Sequence, residues 1–160
     1  GELCDIVLAN RCDLTELPAR LNAVLPEGLS VKSASENAVN GREIQWTRYE
    51  IFVWLPEPAE ENWPERLLAL WLAPDFSVQK RNKKGVYQEA QVADMIRSLT
   101  LSETSEKNVL RMDAVLKDGP DGSLNPAYLF AAAQEKLGFE PAFVRTRRKG
   151  FFGEDGRQIS

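Results

Sequence analysis

Histidine is absent from this 160-residue chain, and cysteine occurs only twice. The first absence removes the imidazole that accepts a proton in Ser-His-Asp and Cys-His machinery, so nucleophilic catalysis of that type is excluded. It also leaves Cys4 and Cys12 with no nitrogen ligand to join them. Two thiols with seven residues between them fall short of the three or four converging soft ligands that a zinc or iron–sulfur centre needs. They read as ordinary reduced thiols, and folding needs no disulfide. Long apolar runs are missing too: the longest candidate, residues 67–73, is about two helical turns, against the roughly 20 residues that cross a bilayer. With no basic-then-apolar leader at the N-terminus, a cytoplasmic location without membrane contact is expected. Gly119, Gly122, Gly138 and Gly150 are scattered through turn-like segments and form neither a phosphate loop nor a dinucleotide fingerprint.

Acidic residues are plentiful but dispersed. Glu60 with Glu61, Glu103 with Glu106, and Asp118 with Asp121 are close in sequence, yet each pair falls in a loop where carboxylates serve solubility. No catalytic residue and no metal ligand is assigned.

What remains describes a folded chain. Hydrophobic residues make up 43% and charged residues 28%, with four tryptophans, a balance that argues against disorder. A chain of this length buries roughly two thirds of its unfolded surface. Residues 3–9 are aliphatic-rich and suit a strand, and Leu14, Leu17, Leu21 and Val24 then recur at helical spacing. Asp13 stands at the N-cap of that helix with Glu16 at the capping-box position, and Pro26 and Gly28 stop it. Residues 29–39 predict a strand, Asn40-Gly41 a hairpin turn, and residues 44–55 the next strand. In that strand Tyr49, Ile51, Val53 and Leu55 share one face, while Trp46, Phe52 and Trp54 thicken the other. Trp63, Leu67, Leu70 and Trp71 give a second helix its stripe, and residues 76–86 predict a strand crowned by a basic turn.

Residues 91–99 then read as a helix and 101–103 as a short extended run. Leu110, Met112, Ala114 and Leu116 alternate with polar neighbours in a half-buried strand. Asn125 caps a helix with Pro126 at its first position, Gly138 ends it, and residues 141–147 offer a last strand. The order strand, helix, strand, strand, helix, strand predicts an α+β fold of the ferredoxin-like split β-α-β kind, its antiparallel sheet covered by helices. On this reading residues 1–87 form the ferredoxin-like half, 88–150 a second, smaller α/β half packed as one domain, and 151–160 a flexible tail.

Two basic groups rise above a net charge of −4. Lys80, Arg81, Lys83 and Lys84 form one; Arg145, Arg147, Arg148 and Lys149 form the other, so eight of the 20 basic residues are concentrated in two short runs. Such groups neutralise phosphates along RNA, and Tyr87, Phe151 or Phe152 could stack on an exposed base. The competing explanation is a solvated hairpin tip and a basic tail. The tryptophans at 46, 54, 63 and 71 likewise fit core packing or a partner-binding platform.

Several landmarks also carry a resemblance. GELCDIVL at 1–8, LNAVLPEGLSV at 21–31, RNKKGVYQEAQVADMIRSL at 81–99, RMDAVLKDG at 111–119 and the Asn125-Pro126 helix start resemble a radical-SAM-associated bacterial domain of uncharacterised function. That domain is often C-terminal to a radical SAM protein with a cobalamin-binding-type N-terminal region. The resemblance runs from Gly1 to about Phe152; it departs at Asn125, where the family usually has arginine, and in lacking the family's upstream apolar segment. It implies a longer polypeptide, and a radical SAM catalytic domain as partner in cis or in trans. The four-iron cluster and S-adenosylmethionine are expected only in that partner, since CxxxCxxC does not occur here. The expected function is a non-catalytic accessory domain for substrate recognition or docking, with RNA as a candidate ligand. The alternative is a protein-interaction or structural module packed against the catalytic domain.

Overall fold

The computed structural model of the chain describes residues 4, 6–36, 41–57, 62–81 and 84–159. The chain divides into two compact units, Glu2–Asn40 and, together with Gly1, Gly41–Ser160.

Among its described residues the small unit holds one short helix, α1 (Leu17–Asn22). Glu16, and not Asp13, occupies its N-cap, without a side-chain cap bond. The Asp13 carboxylate is committed nearer by: its Oδ1 accepts from the Thr15 hydroxyl at 2.7 Å and the Thr15 amide at 2.8 Å. Those two bonds close a local Asx-type turn ahead of the helix, and the Thr15 hydroxyl foremost holds the Asp13 carboxyl below its ordinary range. The strands expected at 3–9 and 29–39 do not form among the described residues. At Val31 the reason is visible, because the Asn22 side chain takes both backbone groups: its Nδ2 donates to the Val31 carbonyl at 3.0 Å and its Oδ1 accepts from the Val31 amide at 2.7 Å. A backbone satisfied by a side chain needs no neighbouring strand.

The large unit is mixed α+β with antiparallel sheets. In chain order it contains β1 (Trp46–Trp54), α2 (Trp63–Trp71), β2 (Ser77–Arg81), β3 (Tyr87–Gln91), β4 (Ile96–Glu103), β5 (Val109–Gly119), β6 (Gly122–Ser123), α3 (Pro126–Leu137), β7 (Phe143–Phe152) and β8 (Gln158–Ile159). The main sheet runs β4-β5-β1-β7-β8, with β6 beside β5, while among the described residues β2 and β3 pair only with each other. Every pairing is antiparallel.

Alternation decides which face of this sheet is buried. Tyr49, Ile51 and Val53 of β1 join Leu99 of β4 and Leu110, Met112, Ala114 and Leu116 of β5 in one buried cluster. Trp63, Leu67 and Trp71, four residues apart on α2, add to the same cluster, as do Leu129, Ala132 and Ala133 of α3. Both helices therefore cover the same face. The buried Trp71 Nε1 donates to the Leu129 carbonyl at 3.0 Å, which satisfies its only polar atom and ties the two helices together. Asn125 caps α3 as its sequence predicts, Oδ1 accepting from the Ala127 amide at 2.9 Å. Gly138, at φ +68°, turns the chain out of the helix.

Several sequence expectations are corrected here. The helix expected over 91–99 is instead the end of β3, a 3-10 turn at Ala93–Met95 and the first half of β4. Val92, Met95, Ile96 and Leu99 match a helical period, but short apolar patterns are ambiguous and pairing with β5 decides for strand. The division at 87/88 falls inside the β2–β3 hairpin, and β1 lies between β5 and β7, so strands from both sides of that boundary share one sheet. Nor is 151–159 a free tail: Phe151 and Phe152 end β7 and pair with Ile159 and Gln158 of β8. Asn40 of the expected hairpin turn lies outside the described residues, and Gly41 opens a 3-10 turn, Gly41–Glu43.

Candidate functional site

The face of the main sheet away from the helices is polar, cationic and aromatic. It arises from the same alternation that builds the core: where β1 sends Tyr49, Ile51 and Val53 inward, Arg48, Glu50, Phe52 and Trp54 point the other way. Strand register then sets their neighbours. Phe52 has Arg111 of β5 on one side and Arg145 of β7 on the other. Trp54 is opposite Phe143, with ring centroids 5.2 Å apart at a 54° tilt. Phe143 is 59% exposed, and the Trp54 Nε1 reaches Glu106 Oε1 at 3.3 Å. An aromatic flanked by two guanidinium groups, beside an aromatic pair, thus spans the middle three strands.

Glu50 organises the charges of the next row. Its side chain is 11% exposed, and its carboxylate lies 3.1 Å from Arg111 Nη2 and 3.8 Å from both Arg147 Nη1 and Lys149 Nζ. Beyond it, Asp113 Oδ1 accepts from Arg48 Nη2 at 3.2 Å, and its Oδ2 lies 2.9 Å from Arg111 Nε as an ion pair. Arg48, Arg111, Arg147 and Lys149 are each about half exposed, so two carboxylates, Glu50 and Asp113, hold four cations at the surface without neutralising all of them. At the far end of the sheet Arg48, Ser98, Thr100, Asp113, Val115 and Phe152 line an open recess of about 360 Å³.

The second basic group is divided by this geometry. Arg145 and Arg147 stand on the helix-free face, and a bulge between Arg48 and Tyr49 in the β1–β7 register brings Lys149 to it as well. Arg148 points elsewhere, its guanidinium carbon 5.8 Å from the Tyr49 ring centroid and 5.4 Å from that of Phe151. Phe151 is buried and so is no stacking platform, whereas Phe152 borders the recess.

The first basic group belongs to the β2–β3 hairpin, outside the main sheet. Lys80 Nζ donates to the Ser123 carbonyl at 2.7 Å, and Arg81 Nε donates to the Gly85 carbonyl at 3.2 Å, closing the hairpin end. Lys84 is exposed, as is Tyr87 at 66%, while Lys83 lies outside the described residues. Arg48, Arg111 and Phe143 escaped the sequence reading because they are dispersed over three strands, and Phe52 and Trp54, although placed on one face of β1, were not joined to any basic group. The available signal was the aromatic content of the polar positions in β1, whose meaning depends on what β5 and β7 place alongside.

A family described as uncharacterised proteins conserved in bacteria, DUF2344, matches residues 1–126. The chain belongs to that family. Within this DUF2344 member, the matched span includes β1 and β5, hence Arg48, Glu50, Phe52, Arg111 and Asp113, and ends before β7 supplies Phe143, Arg145 and Arg147. Comparison with curated proteins and with solved structures gives no match. Among the described residues, no helix is long and apolar enough to cross a membrane.

Proposed function

We propose that this chain is a non-catalytic recognition domain whose helix-free sheet face binds single-stranded RNA for a radical SAM enzyme, in cis or in trans. The observation that carries the RNA part is the row Arg111–Phe52–Arg145 beside the Trp54–Phe143 pair. Phe143 is exposed and Phe52 and Trp54 are part exposed; aromatics accessible on a sheet stack on unpaired bases at about 1–3 kcal/mol per base, and flanking guanidinium groups reach the phosphates between them. The radical SAM part rests on the resemblance described above. The cluster and S-adenosylmethionine belong to the partner in this proposal, because two cysteines without histidine do not fit them in this chain. The ferredoxin-like half expected over residues 1–87 lacks its first strands among the described residues, and what supports a ferredoxin-like arrangement is instead the strand order β4-β5-β1-β7 over residues 46–152, in which α2 and α3 link strands that are not neighbours.

Fluorescence anisotropy with labelled octauridine tests the RNA reading. Binding is expected at low salt, with affinity falling as salt rises at a log–log slope of about −0.7 per neutralised phosphate. Charge removal in R145A/R147A should weaken binding at least tenfold and flatten that slope by about 1.4. Absence of binding at low salt overturns the reading. A second reading, a module that packs against the catalytic domain without touching RNA, is favoured by the exposed Val86 and Tyr87 on the β2–β3 hairpin. It predicts binding to that domain that is lost in V86S/Y87S.

A further inference from the structure

We infer that the recess at the Phe152 end of the sheet is a base-recognition subsite selective for guanine, an inference that rests on the single-stranded RNA reading. Its walls combine three groups around one concavity. Phe152, part exposed, offers a ring on which a base can stack. Arg48 presents guanidinium donors and is about half exposed. Asp113, 27% exposed, presents two carboxylate oxygens that each have one cation contact, Arg48 at 3.2 Å and Arg111 at 2.9 Å. A carboxylate oxygen accepts more than one hydrogen bond, so both retain acceptor capacity toward the recess.

Gly150 stands opposite Arg48 in the β1–β7 register and adds no side chain beside it. Val115 supplies apolar surface, and Ser98 and Thr100 supply exposed hydroxyls. The volume, about 360 Å³, falls in the range of small-ligand sites.

The donor and acceptor pattern selects among bases. Two adjacent acceptor oxygens call for two adjacent donors, and among the four RNA bases guanine offers them on its Watson–Crick edge, as N1–H and the N2 amino group. Guanine O6 and N7 are also the acceptors that arginine recognises best. Adenine and cytosine each bring one exocyclic amino group to a carboxylate, and uracil brings one imino donor. The remaining cations of the face, Arg111, Arg145, Arg147 and Lys149, serve phosphates and carry no base preference.

Four labelled octamers test this on the intact protein: octauridine, and octauridine with one central guanosine, adenosine or cytidine. Guanosine should tighten binding about tenfold or more over the other three. Inosine at the same position, which lacks the N2 amino group, should lose most of that gain, and it reads the Asp113 contact without altering the protein. D113N, checked for its fold by thermal unfolding, should bring the guanosine and adenosine octamers to within about twofold of one another. Binding of all four octamers with equal affinity, a preference for adenosine or cytidine, or inosine bound as tightly as guanosine overturns the subsite while leaving the RNA reading standing. Failure of every octamer to bind at low salt overturns the RNA reading, and the subsite with it.

Discussion

Glu50 sets the charge of the helix-free face. It is nearly buried, whereas the cations around it are about half exposed, so the carboxylate is anchored while Arg111, Arg147 and Lys149 stay partly hydrated. Removing its charge should loosen the face and free those cations together. A unit charge about 6 Å from a phosphate in water is worth roughly 0.7 kcal/mol, so E50Q should bind octauridine about threefold more tightly at low salt. Its stability should fall by only about 1 kcal/mol, since partly exposed ion pairs contribute little. Titration by anisotropy and urea unfolding measure the two effects, and loss of both affinity and stability would show that Glu50 shapes the site and does not restrain it. At this scale the sequence was partly legible. Arg145, Arg147 and Lys149 stand out as a run, but which of the run lies on the helix-free face depends on a bulge in the β1–β7 register, a property of paired strands. Arg148, in the midst of the same run, lies over the Tyr49 and Phe151 rings.

Elements with their own boundary signals could be read in advance. The Asn125-Pro126 start and the Gly138 stop define α3, and the observed helix, Pro126–Leu137, follows them. The cap bond from the Ala127 amide to Asn125 Oδ1 makes N125A a clean test, with an expected loss of about 1 kcal/mol in urea unfolding. β5 was legible for a different reason, because alternation of Leu110, Met112, Ala114 and Leu116 with polar neighbours fits no helix. Residues 91–99 misled because their apolar positions fit a helical period while their backbone is claimed by β5. Residues 29–36 misled for a local reason at Val31, where the Asn22 side chain supplies the bonds a partner strand would have made. In both cases the deciding partner lies outside the pattern being read.

At the scale of the whole molecule, the core and the candidate site are two faces of one alternation. Inward residues of β1 and β5 meet α2 and α3, and the intervening residues are left to face solvent. The strand order that brings β7 beside β1 places Arg145 and Phe143 next to Phe52 and Trp54, although some ninety residues separate them in the chain. The two basic groups that look equivalent in sequence therefore have different surroundings, one on the main sheet and the other on the separate β2–β3 hairpin. Titration of the isotope-labelled protein with octauridine, followed by NMR, distinguishes them most directly. The Trp54 indole, Phe52, Phe143 and the Arg111 and Arg145 side chains should shift together at low salt. Shifts confined to Lys80, Lys84 and Tyr87 of the hairpin would contradict binding at the helix-free face.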